Sequence, residues 1–327
     1  MAVTGADGFI GSHLTELLVE RGHRVRAMVQ YNSLGSWGWL DTVDRHVLDQ
    51  VTVVPGDVRD PACVLDLLAG AETVYHLAAL IAIPYSYQAP RSYIETNVLG
   101  TLNVLDAVRV HGTPRMVHTS TSETYGTART VPISEEHPLH TQSPYAASKA
   151  AADKLAESYH ASFGVPVVTL RPFNTYGPRQ SARAVIPAIV SQLAAARGSV
   201  RLGCLDPTRD LMFVKDTADA FAAAGTAPAR AVTGQVFNAG TGREVSIGEL
   251  ARQIAGLMGR DIQIEADPER IRPRASEVMR LACDSTKFQR LTGWRPRHDL
   301  EDGLKLTIDW FTDPGNLARY RPGLYTI

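Results

Sequence analysis

The chain has 327 residues, enough for one large core or two unequal domains. Its formal net charge of -1, without a long basic block, argues against nucleic acid or an anionic membrane as a partner. No apolar run approaches a membrane span and the start Met1-Ala2-Val3-Thr4-Gly5 is no signal peptide, so a cytoplasmic setting is expected. Cys63, Cys204 and Cys283 are scattered, odd in number and without ligand spacing, so free thiols and no metal are expected.

Val3 runs into Thr4-Gly5-Ala6-Asp7-Gly8-Phe9-Ile10-Gly11, and an apolar helical pattern (Leu14, Leu17, Leu18) follows from Ser12. A glycine-rich turn between strand and helix lets backbone approach a pyrophosphate, and the helix N-terminus supplies amide donors. Few residues precede Gly5, so the first strand is expected to be short unless the native start lies upstream. Arg24 to Val29 and Val51 to Val54 read as the next two strands. The second closes on Gln30, where a carboxylate would favour NAD and an arginine NADP. A neutral glutamine leaves that choice open, with NAD the expectation.

Asp57 follows the third strand, placed either to accept from an adenine amino group or to cap the next helix, a role that Asp60-Pro61 also suits. Thr73 to Leu77 is a fourth strand, and the small residues after it, Ala78 and Ala79, allow a cofactor to pass closely. His76 reads as a packed strand residue rather than a base. The helix from Tyr93 to Val110 carries Asn97, costly there by propensity, which suggests work at a buried face.

Arg115 to Thr119 is a fifth strand and delivers Thr121-Ser122-Glu123. In Ser143-Pro144-Tyr145-Ala146-Ala147-Ser148-Lys149, Ser143 is a natural N-cap and Pro144 a natural first helical residue. Tyr145 and Lys149, four apart, share one helix face, and a neighbouring ammonium is expected to pull the tyrosine towards phenolate. Val165 to Leu170 is a sixth strand, followed by Phe173-Asn174-Thr175-Tyr176-Gly177-Pro178-Arg179.

To this point strands and helices alternate, which predicts a doubly wound parallel sheet with helices on both faces. The rhythm then breaks: helices are expected at Val185 to Ala196, Lys215 to Ala224 and Leu300 to Phe311, and strands at Val200 to Leu202 and Gln235 to Asn238. Ser246-Ile247-Gly248-Glu249 is a capping box for a helix to Met258, and an irregular tail is expected after Pro314.

The glycine fingerprint, the Asp57 turn, Tyr145 with Lys149 and the Phe173-to-Arg179 block resemble the extended short-chain dehydrogenase/reductases, specifically nucleotide-sugar epimerases and dehydratases. The resemblance implies an α/β fold: a dinucleotide-binding Rossmann domain over 1–177 and a smaller mixed α/β substrate domain over 178–327, some of 210–245 returning to the first. It implies cofactor contacts at Gly5, Gly8, Phe9, Ile10, Gly11, Gln30, Asp57, Val58, Leu77, Ala78, Ala79, Asn97, Tyr145, Lys149 and Phe173. It implies substrate contacts at Asn174, Arg179, Val185, Arg209 and Arg272, with Asp210 a possible neutraliser of Arg209. The catalytic group would be Thr121, Ser122, Glu123, Tyr145 and Lys149.

Thr-Ser-Glu is similar to the triplet of GDP-mannose 4,6-dehydratases and of UDP-glucuronate decarboxylases. Tyr31-Asn32-Ser33, Trp37-Gly38-Trp39-Leu40-Asp41, Ile83-Pro84-Tyr85-Ser86-Tyr87 and Ser181-Ala182-Arg183-Ala184-Val185-Ile186-Pro187 resemble bacterial 4,6-dehydratases of UDP- or GDP-linked N-acetylglucosamine. The implied reaction is oxidation at carbon 4, loss of water across carbons 5 and 6, and hydride return to carbon 6. A decarboxylase or a 4-epimerase shares the first step, and a cofactor-sensing regulator is the rival of another class. The helices around Tyr93 to Val110 and Tyr145 to Phe163 expose apolar and alanine-rich faces, which the resemblance implies would form a homodimer's four-helix bundle; from the residues alone they could equally pack on their own sheet.

Overall fold

The computed structural model describes residues 1–195 and 199–320. The expected helix end at Ala196 and the tail beyond 320 lie outside the described residues. The strands are β1 (Ala2–Thr4), β2 (Val25–Gln30), β3 (Val51–Gly56), β4 (Val74–His76), β5 (Met116–Thr119), β6 (Val167–Pro172), β7 (Asn174–Tyr176), β8 (Ser199–Leu202), β9 (Thr208–Phe213), β10 (Val236–Ala239), β11 (Glu244–Ser246), β12 (Gln263–Ala266) and β13 (Arg280–Leu281).

Seven strands form one sheet in the order β10-β6-β5-β4-β1-β2-β3. All six pairings are parallel. The order reverses beside β1, which opens a crevice at the carboxyl ends of β1 and β4, where open α/β sheets take ligands. Side chains alternate across the sheet: Val3 joins Val29, Val117, Val168 and Phe237 in one apolar cluster, while Ala2 joins Met28, Val74, Met116 and Val167 in another. Helices cover both faces, as the doubly wound pattern requires.

A further cluster, with Tyr176, Ile189, Phe213, Leu250, Ile254, Leu304 and Phe311, belongs to the smaller part of the fold. There β9 is central, flanked by β11 and β13, with β7 also beside it. β7, β9, β11, β12 and β13 were not expected from the sequence: they lie where the strand–helix alternation breaks, with no regular rhythm to mark them. β10 returns to the large sheet beside β6, pairing Phe237 with Leu170. Among the described residues no helix is long and apolar enough to cross a membrane.

The helix Ile247–Leu257 opens on the expected capping box: Ser246 Oγ accepts from the Glu249 N–H at 3.2 Å, and the Glu249 carboxylate accepts from the Ser246 N–H at 3.1 Å. Ser246→Ala is therefore expected to cost about 0.5–2 kcal/mol. Urea denaturation followed by circular dichroism checks it, and an unchanged midpoint would show the cap to be energetically idle.

Candidate active site

The glycine turn lies against the crevice. Gly5 has φ +69°, and a Cβ there would stand 2.8 Å from the Ala78 amide nitrogen. A Cβ on Gly11 would meet the Gly5 carbonyl oxygen at 2.0 Å, so helix and turn pack as only glycine permits. The helix Phe9–Glu20 starts at Gly8 with no side-chain cap, leaving its first amides directed into the turn. Thr4 Oγ1 accepts from the Leu77 and Ala78 amides, each at 3.1 Å, tying β1 to the residues after β4. This geometry fits a dinucleotide pyrophosphate. Asp57 accepts from Arg59 Nε and Nη2 and is held below the usual carboxylate range by that hydrogen bonding. Val58 is buried and packs against Gly100.

Helix Pro144–Phe163 carries the central pair, and Ser143 Oγ caps it by accepting from the Ala146 N–H at 3.1 Å. Tyr145 and Lys149 are both buried, one turn apart. Burial raises the Tyr145 pKa, opposed by a hydrogen bond with Thr121 and reinforced by the charge of Glu123. Burial thus moves Tyr145 away from the expected phenolate, opposed by Thr121. Burial also pulls Lys149 down to about 8, opposed by Asp153. Thr121 caps the short helix Ser122–Tyr125, its Oγ1 accepting from the Glu123 N–H at 3.3 Å, which leaves its own proton for Tyr145. Ser122 and Glu123 are buried beside it.

Asn97 does work at a buried face. It accepts from the Leu80 N–H at 2.8 Å and donates to the Leu80 carbonyl and to Ser148 Oγ, both at 2.9 Å. The Ser148 hydroxyl donates to the Tyr145 carbonyl at 2.7 Å, so Asn97 helps to set the helix that carries Tyr145 and Lys149. Residues Ile94–Leu99 form a π-helical turn, a local widening that the sequence did not announce. Tyr93, also unanticipated, meets Tyr145 edge-on at 6.3 Å. His76 is indeed a packed strand residue, hydrogen-bonded to Thr4 and Thr101.

Beneath the pair lies a charged network that the sequence reading missed. Asp153, one further turn along, accepts from Ser120 Oγ at 2.6 Å, from Arg171 Nη2 at 2.9 Å and from His118 Nε2 at 3.1 Å. Burial works to raise its pKa, but His118, Arg171 and Ser120 overcome that and bring it to about 2. Arg171 also donates to the Tyr125 hydroxyl, which donates to Asn238 Oδ1 on β10. The i, i+4, i+8 spacing of Tyr145, Lys149 and Asp153 was the available signal.

The arginines divide. Arg209 and Arg272 both face Glu277, at 3.3 and 3.6 Å, and the charge of Glu123 also reaches Arg209. Asp210 does not neutralise Arg209: it accepts from the amides of Thr241, Gly242 and Cys283. Arg179 has φ +70° and is spent on Glu16, at 2.5 and 3.0 Å, on the dinucleotide-side helix. Asn174 Oδ1 is buried without a partner in the structure, Phe173 is buried against Tyr125, and Val185 opens the helix Val185–Ala194.

A family profile described as GDP-mannose 4,6 dehydratase matches residues 2–307. The chain is similar to a UDP-glucose 4-epimerase of Mycolicibacterium smegmatis, 37% identical over 94% of this chain and 97% of that one. It is similar to a dTDP-glucose 4,6-dehydratase of Streptomyces antibioticus, 34% identical over 98% and 94%. Among solved structures, a double mutant of the dTDP-glucose 4,6-dehydratase DesIV from Streptomyces venezuelae, with NAD and DAU bound, aligns with TM-score 0.86 at 30% identity, covering 96% of this chain and 97% of that one.

Removing the network's charge tests its weight. Asp153→Asn strands Arg171 in the interior and is expected to cost about 3–5 kcal/mol at pH 7. The native carboxyl titrates below its unfolded value, so its contribution is present above pH 4 and fades as pH falls through about 2. Urea melts across that range should show the gap between variant and wild type narrowing. A gap independent of pH would refute the assignment.

Proposed function

We infer the activity from one premise: the chain belongs to the GDP-mannose 4,6-dehydratase family of extended short-chain dehydrogenase/reductases, NAD(P)-dependent enzymes that act on nucleotide sugars. Within it we propose a 4,6-dehydratase that converts a nucleotide-linked hexose or N-acetylhexosamine, UDP-N-acetylglucosamine-like in kind, to its 4-keto-6-deoxy form. The supporting observation is Glu123, buried and near enough for its charge to act on both the Tyr145 hydroxyl and Arg209.

On this reading Tyr145 gives up its own proton to solvent once substrate and cofactor are bound, Thr121 and Lys149 steady the phenolate so formed, and that phenolate takes the proton of the sugar's 4-hydroxyl. A bound nicotinamide would accept a hydride from carbon 4 and return it to carbon 6. The 4-ketone acidifies carbon 5, and Glu123 removes that proton. Ser122 is too weak an acid to protonate the departing 6-hydroxyl, so Glu123 delivers the proton it has just taken; as carbon 6 receives the hydride, carbon 5 takes a proton from water through Glu123, while Tyr145 releases the 4-hydroxyl proton to solvent. Arg209, Arg272 and Asn174 would hold the diphosphate and base, guanidinium suiting that role by its fork geometry.

The M. smegmatis relative favours a second reading, 4-epimerisation, in which the 6-hydroxyl survives. We also propose a homodimer, supported by Ile94, Leu99, Val110 and Phe163, which lie exposed on the two helices named for pairing. Light scattering should then give twice the 35.5 kDa chain mass, and a monomer at micromolar concentration would refute it.

Incubation with UDP-, GDP- and dTDP-sugars should yield a new methyl doublet by NMR. Glu123→Gln should lower turnover by about 10²–10⁴-fold while absorbance at 340 nm rises, because oxidation at carbon 4 proceeds and elimination stalls. Native-rate 6-deoxy product from that variant, or an epimer that keeps its 6-hydroxyl from the wild type, would overturn the dehydratase assignment.

A further inference from the structure

Gln30 leaves the dinucleotide unchosen in sequence, but the structure brings another side chain to the same corner. Asp7, in the glycine turn, reaches across to the end of β2, where its Oδ2 accepts from the Gln30 N–H at 3.2 Å. The segment after β2 then folds back over it. The Trp39 N–H donates to the Asp7 carbonyl at 3.0 Å, and Gly38, at φ +59°, lies so close that a Cβ would stand 2.6 Å from that oxygen and 3.0 Å from the Asp7 Cβ. Asn32 holds the fold-back together, accepting from the amides of Leu34 and Ser36 and donating to the carbonyls of Gln30 and Ser36.

The charge at this corner is one-sided. Burial raises the Asp7 pKa, and the groups that oppose this are backbone amides, of Gln30 and its own, with no cation among them. From Ala27 to Asp44 the sequence contains no lysine or arginine. Arg59, beyond the neighbouring end of β3, is bound to Asp57 through Nε and Nη2. The end of the second strand in this fold is where an adenosine ribose is read, by an acidic group for a free 2′-hydroxyl or by a basic one for a 2′-phosphate.

We propose that Asp7 selects NAD over NADP, standing in for the carboxylate that Gln30 lacks: a ribose hydroxyl can donate to it, and a 2′-phosphate meets a negative group whose partner among the described residues is the Gln30 amide. The inference needs only that the chain binds a nicotinamide dinucleotide, and stands apart from the elimination chemistry above.

The test uses the full-length protein stripped of cofactor, with NAD and NADP titrated separately by calorimetry and no sugar nucleotide present. Wild type should bind NAD at least about tenfold more tightly, the order of one lost charge-assisted contact. Asp7→Asn keeps an oxygen for the Gln30 amide, so a purely structural role would leave the ratio unchanged. The proposal expects the ratio to narrow about tenfold, mainly through tighter NADP. Asp7→Ser serves the same purpose if the asparagine variant does not fold, as judged by circular dichroism. Equal affinities in the wild type, or an unchanged ratio in the folded variant, would overturn the proposal alone. Failure to bind either dinucleotide would remove it together with the family's cofactor.

Discussion

A carboxylate buried one turn beyond a lysine is the constraint on which this site depends. Asp153 sits in an interior where an unpaired charge would cost several kcal/mol, and it is tolerated because three donors converge on it. Those donors come from different elements: His118 from β5, Ser120 just after it, and Arg171 from β6. One ionised group thus fastens the helix that carries Tyr145 and Lys149 to two adjacent strands of the large sheet. Arg171 extends the tie through Tyr125 to Asn238 on β10, the strand that returns from the far part of the chain.

The same burial sets the proton balance above it. Tyr145 is pushed up and Lys149 down, both chiefly by desolvation, so two values that start close together are driven apart. Each additional charge then matters more than it would in water. Asp153 favours the protonated lysine, Glu123 disfavours the phenolate, and Thr121 favours it. On the proposed reading the tyrosine holds its proton until substrate and cofactor complete the balance, which suits a group that must give a proton as readily as take one.

What could be read from sequence was local. The Tyr145–Lys149 face, the Ser143 cap and the Ser246 capping box all depend on spacings within one or two turns, and each stands in the structure. Contacts across the chain were not legible. Arg179 meets Glu16 over a separation of 163 residues, and Asp7 meets Gln30 only because β1 and β2 lie side by side. The pairing of Arg209 with Asp210 failed for a simple reason. They are neighbours on β9, so their side chains leave the strand on opposite faces. The phenolate expectation failed because it counted a neighbouring charge and not the cost of burial.

On the proposed reading the remaining question is why a fold shared by epimerases and dehydratases would favour elimination. Both reactions begin by oxidising carbon 4, so Tyr145, Lys149 and the glycine turn cannot separate them. Elimination needs one more group, able to hold a proton from carbon 5 and pass it to the oxygen leaving carbon 6. Ser122 cannot do so, and Tyr145 is engaged at carbon 4. Glu123 sits next in the triplet, on a short helix capped by Thr121, which fixes the carboxylate's backbone to the hydroxyl that steers Tyr145. On the proposed reading that link holds Glu123 beside the hydroxyl that acts on Tyr145, as elimination would require and 4-epimerisation would not.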